Sequence, residues 1–191
     1  MTVQDAHLDN GRVDNGVNVD HLLGAKKAMT EMPAAAQFQF RAGCQWINGT
    51  HSTCSVSSFF GVGEERSHRQ EYTVDTDHPE VFASQDNGPT PPELLLMGLA
   101  GCLTAGIAAV ATHRSIKLHS VRATVTGEMD VRGILGIDTD IRNGFSSVAV
   151  QYQIEGDAPR SDLEAVVAQS QKRSAVYDII TNPTNVTVEL V

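Results

Sequence analysis

Apolar and polar residues alternate in several short stretches of this chain, and one long stretch between them is apolar almost throughout. Alternation with a period of two is typical of strands that bury one face. It predicts strands over 37–47 and 50–59, and Asn48-Gly49 between them is a strong signal for a hairpin turn. A third strand is predicted around 68–74.

The long apolar stretch predicts a helix over 91–113. Thr90 suits the N-cap, Pro91 the first helical position, and Glu93 completes a capping box. Residues 94–112 carry no charge, which is long enough for a membrane span. The many Gly and Ala residues and the strand patterns around the helix favour the alternative, a buried core helix.

The remaining patterns predict a helix over 21–31, strands over 117–131 and 145–155, and a long turn between those strands. A second capping box, Ser161 with Glu164, predicts a helix over 162–172. A short helical turn over 176–180 and a last strand over 185–191 complete the chain. The order β-β-β-α-β-β-α-β predicts an α+β fold with a mostly antiparallel sheet. We expect residues 1–35 to form an extension with a short helix, and 36–191 to form one domain.

Charge and composition argue against several classes of function. The net charge is −9, the sequence pI is about 5.1, and no basic stripe is present, which argues against nucleic acid or an anionic membrane surface as partner. The start of the chain has no basic segment followed by an apolar one, so we expect a cytoplasmic protein. No His joins a Cys or carboxylate at metal-ligand spacing, so neither a metal nor another cofactor is expected.

Two of the three cysteines, Cys44 and Cys54, flank the predicted hairpin turn. With Asn48-Gly49 as a two-residue loop, facing positions sum to 97, so Cys44 would face Thr53. Cys54 would then point to the other side of the sheet. This register argues against a Cys44–Cys54 bridge.

The third cysteine, Cys102, lies in the middle of the apolar helix. Its neighbours on the same face are mostly small, which indicates that a helix, a partner subunit or a ligand approaches closely. An inert core thiol and a reactive one are both compatible with this pattern. The helix's own N-terminus is about three turns away, and His113 is about 16 Å along the axis, so an activating group must come from elsewhere. Polar candidates near the early strands are Arg41, His51, Arg66 and Arg69.

The segment PTPPELLLMGLAGCLTAGIAAVATHRSI, residues 89–116, resembles the central helix of the OsmC/Ohr family. HSVRATVTGEMD, RGILG, GFSSVAVQYQIEGDAP and the terminal TNPTNVTVELV extend the resemblance over 37–191. The resemblance implies an intertwined homodimer with two long helices buried between curved sheets. It also implies that Cys102 is the thiolate that attacks an organic hydroperoxide and becomes a sulfenic acid.

Three positions depart from the family pattern. Ser174, in KRSAVYD, stands where the second cysteine is expected. The family's glutamate falls on Pro92, one residue before Glu93, and its arginine on the early hairpin falls near Thr50 and His51. Ser174, His51 and Glu93 are therefore the candidates for lining the site beside Cys102.

The sequence thus predicts a thiol-dependent hydroperoxide reductase in oxidative-stress defence, with Cys102 as nucleophile. Without a second cysteine in the site, an external thiol would have to reduce the sulfenic acid of Cys102. The alternative is a non-catalytic homodimer that binds a small hydrophobic ligand at its interface, so whether the protein is an enzyme stays open. A hydrolase using Cys102 or Ser174 is disfavoured, because no paired base is evident.

Overall fold

The computed structural model describes residues 13–191. These residues divide into two compact bodies, Asp20–Met97 and Gly98–Val191, and the residues up to Val19 belong to the second. The chain passes from the first body to the second within its longest helix. Whether residues 1–35 form a separate extension stays a prediction, and residues 1–12 lie outside the described part.

The first body consists of a helix, a sheet and two short 3-10 turns. Its elements are α1 (Val19–Glu31), a 3-10 turn (Pro33–Ala36), β1 (Gln39–Phe40), β2 (Gly43–Asn48), β3 (His51–Gly61), β4 (Glu64–Thr76) and a second 3-10 turn (Glu80–Phe82). All strand pairs are antiparallel: β3 is central, with β1 and β2 on one side and β4 on the other. The predicted strand over 37–47 forms two strands, β1 and β2. The predicted third strand, around 68–74, is the longer β4.

The β2–β3 hairpin corrects the prediction for the two cysteines. Asn48 belongs to β2 and pairs with His51, so the turn residues are Gly49 and Thr50, with Gly49 in the left-handed region at φ 56°. A register shift between Trp46 and Asn48 then places Cys44 directly opposite Cys54. The two cysteines form a disulfide, with their Cα atoms 4.0 Å apart. The predicted register was wrong because the turn begins one residue later and the strand contains a bulge.

The second body contains most of the long helix and the elements that come after it in the chain. Its elements are α2 (Pro91–His113), β5 (Leu118–Glu128), β6 (Ser147–Gly156), α3 (Arg160–Lys172) and α4 (Ala175–Thr181). β5 and β6 form an antiparallel pair. The bounds of α2 are those predicted, and the capping box at its start is present: the Thr90 N–H donates to Glu93 Oε2 over 2.7 Å, and the Glu93 N–H donates to Thr90 Oγ1 over 3.4 Å.

One row of α2 forms the core of this body. Leu99, Leu103, Ile107 and Ala111, spaced four residues apart, are all buried. The C-terminal part of the row packs with Val166 of α3 and the side chains around it: Ile116, Val110, Leu118, Val121, Tyr152, Ile154, Ala158, Leu163 and Val167.

The rest of α2 is less enclosed. By length and composition alone α2 could cross a membrane, and 22% of its most apolar window is buried in the chain. Core helices of soluble proteins reach the same length and hydropathy.

Two further predictions about local structure were wrong. α3 begins at Arg160 after Pro159, without a side-chain cap, so Ser161 does not open it. Glu164, the other member of the predicted capping box, instead accepts a hydrogen bond from Arg160 Nε over 2.8 Å. Residues 185–191 form no strand, because a strand needs a ladder partner and none of the described residues pairs with them.

Residues just before α1 dock on the corner between α2 and β5. Asn15 donates from Nδ2 to the carbonyl oxygen of Ile116 over 2.9 Å and accepts from the N–H of Leu118 over 2.9 Å. Its side chain thus satisfies two backbone groups at the start of β5, as a neighbouring strand would. This corner is where the chain turns from α2 into the β5–β6 pair.

Candidate active site

Cys102 and Ser174 meet in the second body. The hydroxyl of Ser174 donates a hydrogen bond to Cys102 Sγ over 3.2 Å. Ser174 is buried and Cys102 is half-buried, so the thiol is shielded on one side and accessible on the other. The two residues are 72 positions apart in sequence, and the packing of α3 on α2 brings them together.

A close helix contact produces this approach. A Cβ on Gly106 would overlap Ser170 Oγ, so α3 can lie this near to α2 only because position 106 has no side chain. Ser170, itself buried, donates to the carbonyl oxygen of Leu103 over 2.6 Å. Ser174 follows Ser170 by four residues and reaches Cys102. The sequence indicated a close approach on this face of α2; Gly106 and Ser170 are where α3 makes it.

The N-terminus of α4 lies at the sulfur of Cys102. Ser174 is the N-cap of α4, and its oxygen accepts from the N–H of Tyr177 over 3.1 Å. The backbone N–H groups of Ala175 and Val176 lie in the first turn of α4, where they have no carbonyl partner within the helix, and they lower the pKa of Cys102. The sequence did not indicate these two amides directly. The capping role expected for Ser174 was the available signal, because a capped helix start presents free N–H groups.

The balance of these interactions favours the thiolate. Burial raises the pKa of the Cys102 thiol and is the largest single contribution, but the hydrogen bonds from Ser174, Val176 and Ala175 together outweigh it. The pKa of Cys102 therefore lies below the ordinary thiol value. A cysteine in this setting is a better nucleophile near neutral pH than a free one, because the thiolate is the reactive form.

The other predicted site residues have partners in the first body. His51 Nε2 lies 3.1 Å from Asp75 Oδ1, which also accepts from Thr53 Oγ1 over 2.6 Å. These hydrogen bonds, first that of Thr53 and then that of His51, lower the pKa of Asp75. Glu93 is held in the capping box described above. The structure thus brings together Cys102 and Ser174, while the roles of His51 and Glu93 at the site stay predictions.

The hairpin residue Thr50 takes part in a different network. Its hydroxyl donates to Asp77 Oδ1 over 2.6 Å, and Asp77 also accepts from the backbone of His78 and from Asn87. Asp77 is buried, and the hydrogen bond from Thr50 is the main reason that its pKa lies far below the usual carboxyl value. Thr50 therefore ties the hairpin turn to the loop before α2.

Of the arginines considered from the sequence, two are paired on the sheet surface: Arg41 with Glu65 and Arg66 with Glu64. Within residues 13–191, no three His, Cys, Asp or Glu side chains come together in an arrangement that could hold a metal ion.

Comparison with known proteins identifies the fold to which this site belongs. A family model described as OsmC-like protein matches residues 84–189, more than half of the chain. The chain belongs to the OsmC-like family. The matched region contains all of α2 with Cys102, and all of α3 and α4 with Ser174. Among curated proteins, none matches the sequence.

Solved structures show the same OsmC-like fold. An OsmC-like protein from Mycoplasma pneumoniae aligns with a TM-score of 0.58 at 17% identity, covering 75% of this chain and 87% of the other. An organic hydroperoxide resistance protein, OsmC, from Legionella pneumophila aligns with a TM-score of 0.53 at 19% identity, covering 76% and 90%. At these identities the likeness establishes the fold alone, which is α+β with antiparallel sheets and a long central helix.

Proposed function

We propose that this OsmC-like protein is a thiol-dependent hydroperoxide reductase with Cys102 as its nucleophile. The observation that carries the proposal is the hydrogen bond of 3.2 Å from the buried Ser174 hydroxyl to the half-buried sulfur of Cys102. An inert core thiol needs no such donor, whereas a thiolate is stabilised by it. That a solved relative is an organic hydroperoxide resistance protein agrees with this chemistry.

In the proposed reaction, the Cys102 thiolate attacks the distal oxygen of the hydroperoxide. A sulfur–oxygen bond forms, the oxygen–oxygen bond breaks, and the alkoxide takes a proton and leaves as the alcohol. Cys102 is oxidised to the sulfenic acid and the peroxide is reduced. The same donors that stabilise the thiolate can then hydrogen-bond the sulfenic acid.

The return to the thiol needs electrons from another group, because the residue facing Cys102 is Ser174, and a serine cannot form a disulfide. A thiol that enters the site would condense with the sulfenic acid and release water, and a second thiol would free Cys102. Half-exposure of Cys102 leaves room for such an attack.

We further propose that the working unit is a homodimer that covers α2. Beyond its buried row, α2 presents Met97, Gly98, Gly101 and Ala105 to the exterior of the chain. A Cβ on Gly98 or Gly101 would meet nothing within 4 Å in the described chain. Small residues on an apolar face allow close approach of a second helix. Sedimentation equilibrium should give twice the chain mass, and Gly101→Leu should shift the equilibrium to monomer; a wild-type monomer at micromolar concentration would refute the dimer.

The activity is tested by peroxide consumption with dithiothreitol as reductant. The wild type should turn over cumene hydroperoxide, and Cys102→Ser should reduce the rate to that of dithiothreitol alone. Ser161→Ala, an exposed position on α3, serves as the matched control and should keep wild-type activity. Equal rates in the wild type and Cys102→Ser would refute the peroxidase.

The exposed apolar face of α2 also supports the alternative, a non-catalytic protein that holds a small hydrophobic ligand where two copies meet. This alternative predicts that an apolar probe such as 8-anilinonaphthalene-1-sulfonate binds saturably and that Cys102→Ser keeps the same affinity. Saturable binding together with absent peroxide turnover would favour the binding protein. Turnover that depends on Cys102 would favour the enzyme.

A further inference from the structure

Buried side chains recur every four positions from α3 to the start of α4, and they change in character along the way. Val166, Ser170 and Ser174 are all buried. Val166 belongs to the same apolar cluster as Ile107 of α2. The two serines instead form hydrogen bonds to α2, at the end of the helix contact that lies nearest to Cys102. Non-directional apolar packing therefore gives way to directed hydrogen bonds as the contact approaches the thiol.

The hydroxyl of Ser170 is not needed to fill space or to satisfy another group. Ser170 is 2% exposed, and burying a hydroxyl is costly unless it forms a hydrogen bond. An alanine would fill almost the same space without that cost. The acceptor, the carbonyl oxygen of Leu103, lies inside α2, where the helix ladder already provides a donor. What the hydroxyl adds is geometry, because a hydrogen bond has a preferred length and angle.

This geometry matters at Cys102, the residue next to Leu103. Ser174 follows Ser170 by four residues, and its hydroxyl reaches Cys102 Sγ over 3.2 Å. A hydrogen bond weakens steeply when its partners are misaligned, so a small slide of α3 along α2 would weaken this contact. The bond of 2.6 Å from Ser170 to Leu103 opposes such a slide.

We propose that Ser170 is a positioning residue for the nucleophile. Its hydrogen bond to Leu103 sets the register of α3 on α2, and this register holds the Ser174 hydroxyl at Cys102. Gly106 leaves the space in which the Ser170 hydroxyl lies, since a Cβ at position 106 would overlap it. This role rests on the proposed function, in which Cys102 is the nucleophile.

The rate of Cys102 alkylation by iodoacetamide, measured against pH, tests the role. Burial and hydrogen bonds from Ser174, Val176 and Ala175 set the pKa of Cys102, so the inflection reports where the start of α4 lies. In Ser170→Ala, we expect the inflection to move upward and the rate at pH 7 to fall by about threefold. The free energy of unfolding in urea should change little, because no buried group loses its last partner.

Val166→Ala is the matched control, at a buried position one turn earlier on the same helix. This substitution leaves a cavity, so it should lower the free energy of unfolding clearly while the inflection of Cys102 stays that of the wild type. An upward shift as large as that in Ser170→Ala would mean that any loosening of α3 acts on the thiol, and it would overturn the role of Ser170. An unchanged inflection in Ser170→Ala would overturn it as well.

A double-mutant cycle tests whether Ser170 acts through Ser174. With Ser174→Ala already in place, Ser170→Ala should shift the inflection less than it does in the wild type, because the hydroxyl that it positions is gone. Shifts of equal size in the two backgrounds would show that Ser170 does not act on Cys102 through Ser174, which contradicts the proposal.

Oxidation of Cys102 by cumene hydroperoxide separates this role from the function on which it rests. We expect Ser170→Ala to slow the oxidation by about the same factor as the alkylation. Fast oxidation at equal rates in the wild type and Ser170→Ala would overturn the positioning role and leave the peroxidase standing. Oxidation of wild-type Cys102 no faster than that of free cysteine, with the shifted inflection still present in Ser170→Ala, would overturn the peroxidase and support the positioning of the thiol.

Discussion

The hydroxyl of Ser174 donates to the sulfur of Cys102 while its oxygen accepts from the N–H of Tyr177. One side chain therefore caps α4 and joins the N-terminus of that helix to the thiol. A serine has a donor and acceptor sites, so both contacts are satisfied at once. The residue that makes a two-cysteine cycle impossible at this site also stabilises the thiolate of the remaining cysteine.

Removing the Ser174 hydroxyl should weaken the nucleophile. In Ser174→Ala, a charge-assisted hydrogen bond is lost, so the pKa of Cys102 should rise and its thiolate should form at higher pH. We expect alkylation by iodoacetamide at pH 7 to slow by about tenfold, since such a bond contributes about 1.5–3 kcal/mol and part of it is replaced by water. The rate measured against pH should show its inflection shifted upward. An unchanged inflection would mean that Ser174 only caps α4.

A cysteine in place of Ser174 should restore an internal resolving thiol. Because Ser174 Oγ lies 3.2 Å from Cys102 Sγ, Ser174→Cys should form a disulfide between the introduced thiol and Cys102 after one equivalent of hydroperoxide. Peptide mass spectrometry detects the crosslink. Ser161→Cys, on the exposed side of α3, is the control and should form none with Cys102. Persistence of a trappable sulfenic acid in Ser174→Cys would contradict the contact.

A methyl group on Gly106 should separate α3 from α2. Its Cβ would overlap Ser170, so Gly106→Ala should lower the free energy of unfolding by about 1–3 kcal/mol and raise the pKa of Cys102 as Ser174 withdraws. Urea unfolding and thiol titration measure the two effects. Gly24→Ala in α1, where a Cβ meets nothing within 4 Å in the described chain, should not destabilise the protein. Equal stabilities of the two variants would contradict the packing.

Asp77 should make the first body sensitive to acid. Its folded-state pKa lies below the ordinary value of 3.8, chiefly because Thr50 donates to it, so its stabilising effect is complete above that value and is lost as the pH falls through the folded pKa. We expect the free energy of unfolding to fall with decreasing pH below about 4. The fall should be shallower in Asp77→Asn, while the exposed control Asp86→Asn should follow the wild type. Urea titrations across this range check it.

The bounds of α2 could be read from the sequence because local chemistry sets them. Thr90, Pro91 and Glu93 satisfy or remove the free N–H groups of the first turn wherever the helix lies. The cap of α3 could not be read in the same way. Pro159 and Arg160 start that helix earlier, and Ser161 matched the motif without occupying the N-cap position.

The hairpin register and the last strand depend on pairing and not on composition. A bulge near Trp46 and a turn at Gly49-Thr50 bring Cys44 opposite Cys54, and neither feature has a distinct pattern in the residues. Residues 185–191 alternate as a strand does, yet Val188 is 93% exposed because nothing in the described chain pairs with them. Alternation indicates that a segment can form a strand, but it does not show whether another strand is present to pair with it.

At the candidate site, the resemblance to the family selected Cys102 and Ser174, and the structure places them in contact. The N-terminus of α2 lies too far from Cys102 to activate it, as the sequence predicted, but the donors come from a different helix start, that of α4. Backbone amides have no residue type to recognise, so their contribution required the structure.

The rate at which a hydroperoxide oxidises Cys102 shows whether this residue is a reactive thiolate. Reduced Cys44→Ser/Cys54→Ser, in which Cys102 is the remaining cysteine, is mixed with one equivalent of cumene hydroperoxide and dimedone. Intact mass spectrometry then measures the rate of trapping, with Cys44→Ser/Cys54→Ser/Cys102→Ser as the control. Stoichiometric trapping at Cys102, at least about a hundredfold faster than for free cysteine (about 2.7 kcal/mol of transition-state stabilisation), is the predicted result. Trapping at the rate of free cysteine would mean that Cys102 is not a reactive thiolate.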